Sequence, residues 1–379
     1  MIYLDNSATT KPHPDVINSF NHVSTKFFAN PSSIHQLGGK GEQLLLTAKK
    51  QAAELLNVSA DEIIFTSGGT EGNNLAIKGA AIQHRERGQH IITTAIEHSS
   101  VYEACKSLEE LGFKVTYLPV NEDGVISVND LKAAVCDETI LVSVMHVNNE
   151  IGSIQPIEEI GQFLKQFPKI LFHVDDVQGF GKIPLSIRKN HIDLCTISAH
   201  KIHGLKGNGI LYKNSRVTLF PLFHGGSQEN SVRPGTENLP GAVAMTKAMR
   251  LIEERRQAEF QKLADLNQIL RHGLMDIQGV DINSSTQAAP HIMNISVPGL
   301  KPEVIIHALE KEDIYISTKS ACSSKQMEES RVLKACGKSK DHASSALRIS
   351  LSYDQTKENI ETFLHVFERT VKQFKEMMR

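Results

Sequence analysis

Two nucleophilic side chains, Cys322 and Lys201, suggest that this chain combines thiol chemistry with carbonyl chemistry. Cys322 lies in the polar run Ser317-Thr-Lys-Ser-Ala-Cys-Ser-Ser-Lys325, which has no apolar periodicity and is typical of an exposed loop. A cysteine there has no predicted core to fill, so it is a candidate reactive thiol. Lys201 closes a strand-like run, where its amine could bind an aldehyde cofactor covalently. Together the two residues predict a protein that handles sulfur.

Both residues have competing interpretations. Lys206, in the glycine-rich run after Lys201, could also react with an aldehyde if it were desolvated, and either lysine could be a solvated surface charge. The position at a strand end favours Lys201. A loop cysteine can be incidental, but the other four cysteines lie in predicted helices or strands or near helix ends, where cysteine usually acts as a small hydrophobe. They are Cys105, Cys136, Cys195 and Cys336.

A glycine-rich turn follows a predicted strand that ends at Thr66. Its sequence is Ser67-Gly-Gly-Thr-Glu-Gly-Asn-Asn74, and a helical pattern comes next. Backbone N–H groups at a helix N-terminus, with the Thr70 hydroxyl, favour an anion such as a phosphate. An ordinary glycine turn with an N-cap explains the same residues, so both interpretations stay open.

Acidic and imidazole side chains follow two further strands. Asp175 and Asp176 end an apolar run at the point where a parallel-sheet enzyme binds its ligand, and a carboxylate there could hold a protonated ring nitrogen. Asp175 is the preferred candidate, with a helix N-cap or a surface ion pair as the alternative. His98 could stack on an aromatic cofactor or transfer protons, although a lone histidine is more often structural.

Two more positions could bind a carboxylate or cap a turn. Arg348 lies within an apolar alternation, where a planar guanidinium suits bidentate capture of a carboxylate. Asn149, in Asn148-Asn149-Glu150, follows a buried strand and belongs either to a site or to a capping turn.

Composition limits the classes of function. The 379 residues include 41 basic and 43 acidic side chains, so the formal net charge of -2 gives no overall field that favours nucleic acid or an anionic membrane. We expect no secretory signal and no membrane-spanning segment. Five scattered cysteines without zinc-ligand spacing predict no metal site and favour a reducing cytoplasm.

The elements that position these residues alternate between strand-like and helical patterns from about residue 45 to 250. This alternation predicts a mostly parallel sheet wrapped by helices, with ligands beyond the carboxyl ends of the strands. A charged helical stretch, 241–275, is expected to be a connecting helix or helix pair, and the rest predicts a smaller α+β domain. The expected boundaries are 13–255 for the large domain, and 1–12 with 256–379 for the small one.

The order of these motifs closely resembles that of the cysteine desulfurases, pyridoxal-phosphate (PLP) enzymes of the class-V aminotransferase family. The resemblance covers nearly the whole chain and implies PLP fold type I. It rests on segments 3–10, 30–35, 65–71, 97–98, 147–152, 173–178, 198–201, 233–238, 320–323 and 347–348. Three local departures from the commoner family residues are Ala199, Asp176-Val177 and Ser99-Ser100 after His98.

The resemblance implies specific roles at the matching positions. Lys201 would hold PLP covalently, Asp175 would pair with the ring nitrogen, and His98 would stack on the ring. The remaining cofactor contacts would come from Gln178 at the ring hydroxyl, from Gly69, Thr70, Ser198 and His200 at the phosphate, and from Thr236 of a second subunit in a homodimer. The substrate carboxylate would be bound by Asn149 and Arg348, with Asn30.

The implied reaction converts L-cysteine to L-alanine. Lys201 would move the α-proton, Cys322 would take the sulfur as a persulfide, and His98 is a candidate for proton transfer. The polar loop, about 317–329, is similar to that of the group in which a mobile loop passes sulfur to an acceptor protein for iron–sulfur cluster, tRNA-thiolation or thiamin synthesis. Alternatives are a selenocysteine lyase, another class-V aminotransferase, or a sulfur-relay subunit with little turnover of its own.

Overall fold

The computed structural model describes residues 1–318 and 329–377, and twelve strands run through this part of the chain. The strands are β1 (Ile2–Tyr3), β2 (Ile63–Thr66), β3 (His90–Thr94), β4 (Lys114–Leu118), β5 (Thr139–Met145), β6 (Leu171–Asp175), β7 (Leu194–Ser198), β8 (Gly209–Lys213), β9 (Asp281–Ile282), β10 (Ile292–Ser296), β11 (Ile314–Tyr315) and β12 (Ala346–Ser350).

Eleven α-helices accompany these strands within the same described ranges. They are α1 (Pro14–Lys26), α2 (Gln36–Leu56), α3 (Gly69–Gln83), α4 (Ser99–Glu109), α5 (Val128–Ala134), α6 (Ile157–Leu164), α7 (Leu239–Met275), α8 (Pro302–Glu310), α9 (Arg331–Ala335), α10 (Lys340–Ser344) and α11 (Lys357–Met377). None of these helices combines the length and the apolar character needed to cross a bilayer.

A seven-stranded sheet in the order β2-β8-β7-β6-β5-β3-β4 forms the centre of the larger layered unit. Strand β8 pairs antiparallel with both β2 and β7, while the neighbours from β7 to β4 are parallel. The central strands β5, β6 and β7 are buried along their whole length, as expected for a parallel sheet covered on both faces. The prediction of a mostly parallel α/β sheet is therefore confirmed.

A second, three-stranded antiparallel sheet has the order β12-β10-β9, and β1 pairs separately with β11. The chain begins in this region, because Asp5 bridges to Ser350 at the end of β12. The N-terminal residues thus lie beside a strand almost 350 positions later in the sequence.

Helix α7 connects the two regions as one continuous helix of 37 residues. It packs against α1 and α2 and also against α11. Its apolar residues are buried in two groups, one at each end, with the charged stretch 253–262 between them. The expected boundary at 255–256 falls inside this charged stretch.

Candidate active site

A cavity of about 160 Å³ lies at the carboxyl ends of β5, β6 and β7 and brings together most of the predicted site residues. The predicted residues that line it are Gly69, Thr70, His98, Asn149, Asp175, Gln178, Ser198, His200, Lys201 and Arg348. These positions come from widely separated parts of the sequence. The site therefore lies where a doubly wound sheet is expected to bind its ligand.

Two predicted residues, Asn30 and Thr236, do not line this cavity. Asn30 is exposed, and its side-chain oxygen accepts a hydrogen bond from the Ser32 N–H at 2.9 Å. Thr236 is exposed too, as a residue that contacts a second subunit would be in a single chain. Cys322 lies outside the described residues. The roles of all three stay predictions.

The N-terminal segment positions Lys201. The lysine ends a short 3₁₀ turn after β7, and its Nζ donates hydrogen bonds to the carbonyl oxygens of Ser7 and, at 2.8 Å, Ala8. The backbone of Thr10 binds the carbonyl oxygen of His200 from the same side, at 2.8 Å. The competing residue Lys206 is exposed. Lys201 is thus the lysine whose amine reaches the cavity.

Asp175 and Asp176 point to different places. The Asp175 carboxylate faces the cavity and accepts hydrogen bonds from the Val177 N–H at 3.0 Å and from Asn73 Nδ2 at 2.7 Å. Burial raises the pKa of this carboxyl, and the charges of His98 and Lys201 act in the opposite direction. Asp176 instead binds His146 Nδ1 at 2.6 Å, away from the cavity lining.

The start of α3 forms one wall of the cavity. Gly69 packs so closely on the side chain of Val177 that a Cβ atom there would come within 2.9 Å of a Val177 methyl group. Thr70 follows in the first helical turn, where backbone N–H groups have no intrahelical partner. This wall is suited to a phosphate or another anion.

Arg348 is almost completely buried in β12, at 1% exposure. Its guanidinium donates to the carbonyl oxygen of Asn149 at 2.9 Å and to the Asp5 carboxylate at 3.0 Å. Within residues 1–318 and 329–377, its Nε finds no hydrogen-bond partner. This arginine faces the cavity with hydrogen-bonding capacity that a substrate carboxylate can use.

Several buried polar atoms of the cavity lining are also without a partner in the described part of the chain. They are Ser7 Oγ, Asn73 Oδ1, Gln178 Oε1, Ser198 Oγ and Arg348 Nε. Buried polar atoms are normally paired, so this set is suited to a polar ligand. An amine, a buried carboxylate and an anion-binding helix start in one cavity fit the aldehyde, ring nitrogen and phosphate of PLP.

Sequence reasoning missed three residues around this site. Asn73 binds Asp175, Asp5 binds Arg348, and Lys182 donates from Nζ to the carbonyl oxygen of Lys201 at 3.0 Å. Burial lowers the pKa of Lys182 to about 8. Of these three residues, only Asn73 could have been identified from the sequence, because it lies three residues after Thr70 and so shares one face of a helix with it.

Three of the four described cysteines agree with the prediction that they act as small hydrophobic residues. Cys105, Cys195 and Cys336 are buried, and burial raises the pKa of each thiol. The interpretation of Cys136 as a small hydrophobe is wrong, because this residue is exposed. It lies in the turn between α5 and β5, near the polar groups of His90 and Thr139 rather than in a core.

The buried carboxyl of Glu97, directly before His98, should make the stability of the protein depend on pH. Burial raises the pKa of its carboxyl from 4.5 to about 8, so the folded state binds the proton more tightly than the unfolded state. The stability that this proton contributes is complete below pH 4.5 and is lost as the pH rises towards about 8. Relative to wild type, we expect the unfolding free energy of Glu97→Gln to rise by about 1.4 kcal/mol per pH unit across this window.

Urea unfolding of both proteins at several pH values within that window measures the difference. Because every other titrating group is present in both proteins, the difference between the two curves isolates the contribution of Glu97. Parallel stability curves for wild type and Glu97→Gln would contradict the raised pKa.

Comparison with known proteins places the chain in a family. The aminotransferase class-V family model matches residues 2–363. A NifS/IcsS protein homolog from Lactobacillus delbrueckii subsp. bulgaricus is 46% identical over 377 residues, covering 99% of this chain and 98% of that protein. Cysteine desulfurase IscS from Methanosarcina thermophila is 41% identical, covering 99% of this chain and 93% of that protein.

Solved structures agree with the sequence relatives. A NifS-like protein matches with a TM-score of 0.92 at 36% identity, covering 98% of this chain and 99% of that one. SspA in complex with cysteine matches with a TM-score of 0.81 at 33% identity, covering 94% of this chain and 100% of that one. Because the similarity extends over nearly the whole chain and its fold, this chain belongs to the PLP-dependent class-V aminotransferase family and, within it, to the cysteine desulfurases.

Proposed function

We propose that this enzyme converts L-cysteine to L-alanine and transfers the sulfur to Cys322 as a persulfide. The observation that carries the proposal is the meeting of Lys201, Asp175 and Arg348 in one cavity of a chain that is 41% identical to a cysteine desulfurase. An amine, an acid and a guanidinium are the groups that a PLP enzyme needs to bind its cofactor and an amino acid.

Arg348 and Asn149 bind the substrate carboxylate in this proposal. The Arg348 guanidinium is already oriented by the Asn149 carbonyl and by Asp5. A side chain held in this way loses little conformational freedom when the substrate binds. The cysteine complex of the related SspA supports cysteine as the substrate.

Lys201 moves the α-proton. Bound PLP supplies an electron sink that acidifies the α-carbon of the amino acid. Asp175, oriented by its hydrogen bonds from Val177 and Asn73, would pair with the ring nitrogen. The remaining contacts to the cofactor would come from Gln178, Ser198, His200, Gly69 and Thr70, which line the same cavity. His98 would stack on the ring. The carbonyl oxygens of Ser7 and Ala8 keep the lysine amine inside the cavity.

The sulfur step balances without an external oxidant. The Cys322 thiolate attacks the substrate sulfur, a sulfur–sulfur bond forms, and the carbon–sulfur bond breaks with its electron pair going to the substrate carbon. That carbon takes up a proton, and the product is alanine. The attack requires a thiolate, so the mechanism needs a lowered pKa at Cys322.

The described residues on both sides of segment 319–328 support this role for Cys322. Ser317 and Arg348 exchange backbone hydrogen bonds at 3.1 and 2.7 Å. On the other side, Ser330 Oγ donates to the Glu150 carboxylate at 2.6 Å, one residue after Asn149. The segments on both sides of 319–328 are therefore hydrogen-bonded at or next to the residues proposed to bind the substrate carboxylate.

Incubation of the purified holoenzyme with L-cysteine and a reductant tests the proposal. We expect alanine and sulfide in equal amounts. The same assay with selenocysteine, or with amino-acid and keto-acid pairs, separates a selenocysteine lyase or an aminotransferase from a desulfurase. Alanine formation that stays unchanged in Cys322→Ala would contradict the assigned role of that thiol.

A homodimer completes the site in this proposal, with Thr236 of each subunit reaching the phosphate of the other. The large exposed apolar side chains Phe28, Ile34 and Leu37, clustered around the start of α2, support a surface that a second copy covers. Light scattering should give twice the mass of one chain, and Ile34→Asp should shift the protein towards the monomer. A wild-type monomer would contradict this part of the proposal.

The remaining assignments concern the two domains, the cellular location and the protein that accepts the sulfur. We propose a cytoplasmic enzyme whose large domain, 13–255, holds PLP, while residues 1–12 and 256–379 form the small domain that carries Cys322. A partner protein for iron–sulfur cluster, tRNA-thiolation or thiamin synthesis accepts the persulfide sulfur. Trapping the persulfidated enzyme in cell extract identifies that partner, and failure to transfer sulfur to any protein would contradict a delivery role.

A further inference from the structure

A chain of hydrogen bonds connects His98 to Asp175 through two side chains outside the predicted set. Ser100 Oγ lies 2.8 Å from His98 Nδ1, and Asn73 Nδ2 donates to Ser100 Oγ at 2.8 Å. The same Asn73 amide donates to Asp175 Oδ2 at 2.7 Å. Ser100 and Asn73 are both buried, at 9% and 1% exposure, so bulk water competes little for these bonds.

The direction of each hydrogen bond follows from the chemistry of the groups. An ionised carboxylate only accepts hydrogen bonds, so Asn73 turns its NH₂ group towards Asp175 and Ser100. The hydroxyl oxygen of Ser100 accepts from Asn73, and its single proton is left for His98 Nδ1.

A second donor reaches the same ring nitrogen. His98 is the N-cap of α4, and its Nδ1 accepts the backbone N–H of Ser100 at 3.2 Å. A backbone N–H can only donate, so a proton on Nδ1 would face a donor. Nδ1 is therefore the acceptor, and the neutral ring carries its proton on Nε2.

We propose that Ser100 is a positioning residue that holds His98 as the neutral tautomer with its proton on Nε2. His98 then presents a hydrogen-bond donor at Nε2, while its only basic nitrogen is occupied by Ser100. The consequence for catalysis rests on the proposed function: His98 orients and donates, and proton abstraction at the α-carbon is left to Lys201.

The charges around His98 favour the same neutral state. Burial lowers the pKa of its imidazole, and nearby cations add to this effect, whereas Asp175 opposes it. Among residues 1–318 and 329–377, the titratable or charged groups that face the ring come from four elements or their ends. They are Asp175 on β6, His200 and Lys201 after β7, Arg331 on α9 and Arg348 on β12.

Histidine NMR on the ¹⁵N-labelled holoenzyme tests the proposal. The chain has 17 histidines, so the signal of His98 is assigned by its loss in His98→Asn. We expect the Nε2-protonated tautomer in wild type across the neutral pH range. In Ser100→Ala, the loss of one hydroxyl donor at Nδ1 should raise the pKa of His98 by about one unit.

Two matched variants separate this role from a general effect on the helix. Ser100→Thr keeps the hydroxyl and should restore the wild-type titration. Ser99→Ala makes the same chemical change one residue earlier, at an exposed position, and should titrate as wild type. A proton on Nδ1 in wild type, or the same His98 pKa in Ser100→Ala and wild type, would overturn the proposal. The NMR result does not depend on turnover, so it stands apart from the success of the desulfurase assay.

Discussion

Replacing Lys201 with alanine is expected to lower the rate of alanine formation from L-cysteine by about 10³-fold, within the range that a positioned acid or base contributes. The variant removes the only described cavity-lining amine that the Ser7 and Ala8 carbonyl groups orient. In the proposed function it also removes the covalent attachment of PLP, so the cofactor should be lost on gel filtration. Absorbance and alanine release, measured on the same preparation, report both effects.

Lys206→Ala is the matched control for this prediction. Lys206 lies five residues after Lys201 and is exposed, so its replacement should leave both cofactor retention and turnover close to wild type. If Lys201→Ala kept PLP through gel filtration and turned over normally, the assignment of the cofactor lysine would be wrong.

Asp175→Asn is expected to reduce kcat by about 10²- to 10³-fold, the effect of removing one preorganised electrostatic partner. Asparagine has nearly the same shape as aspartate, so the cavity should keep its form. It carries no charge to stabilise a protonated ring nitrogen, and its NH₂ group would face the NH₂ group of Asn73. Steady-state kinetics should show the loss mainly in kcat, because the variant keeps Arg348, the residue proposed to bind the substrate carboxylate.

Asp176→Asn makes the same chemical change one residue further along the chain. Asp176 binds His146 at 2.6 Å, outside the cavity lining, so this variant should lose stability but keep kcat within a few-fold of wild type. Equal kcat losses in the two variants would contradict the separate roles of the two carboxylates.

The sequence predicted the sheet well because its strands are buried and short. The apolar runs before Asp175 and Ser198 match β6 and β7 to within one residue, and each ends at the cavity. In a parallel sheet the carboxyl ends of neighbouring strands share one edge, so residues that follow strands are expected to meet. The position at a strand end favoured Lys201 over Lys206, and the resemblance to a known family implied the same residue.

Contacts between distant elements could not be predicted in the same way. Asp5 binds Arg348 across 343 positions of sequence, and Lys182 reaches the backbone of Lys201 from a neighbouring turn. Both contacts depend on how separate elements pack against each other, and a local sequence pattern does not encode that packing. The link from His98 through Ser100 and Asn73 is of the same kind, since it joins α4, α3 and β6.

Mass spectrometry of the enzyme after brief reaction with L-cysteine, without reductant, tests the central claim most directly. The proposed function predicts one added sulfur atom on the peptide that contains Cys322 and one alanine released for each modified thiol. Cys136, the one exposed cysteine among the described residues, should stay unmodified. Alanine release with the sulfur on Cys136, or with no sulfur on Cys322, would contradict the account.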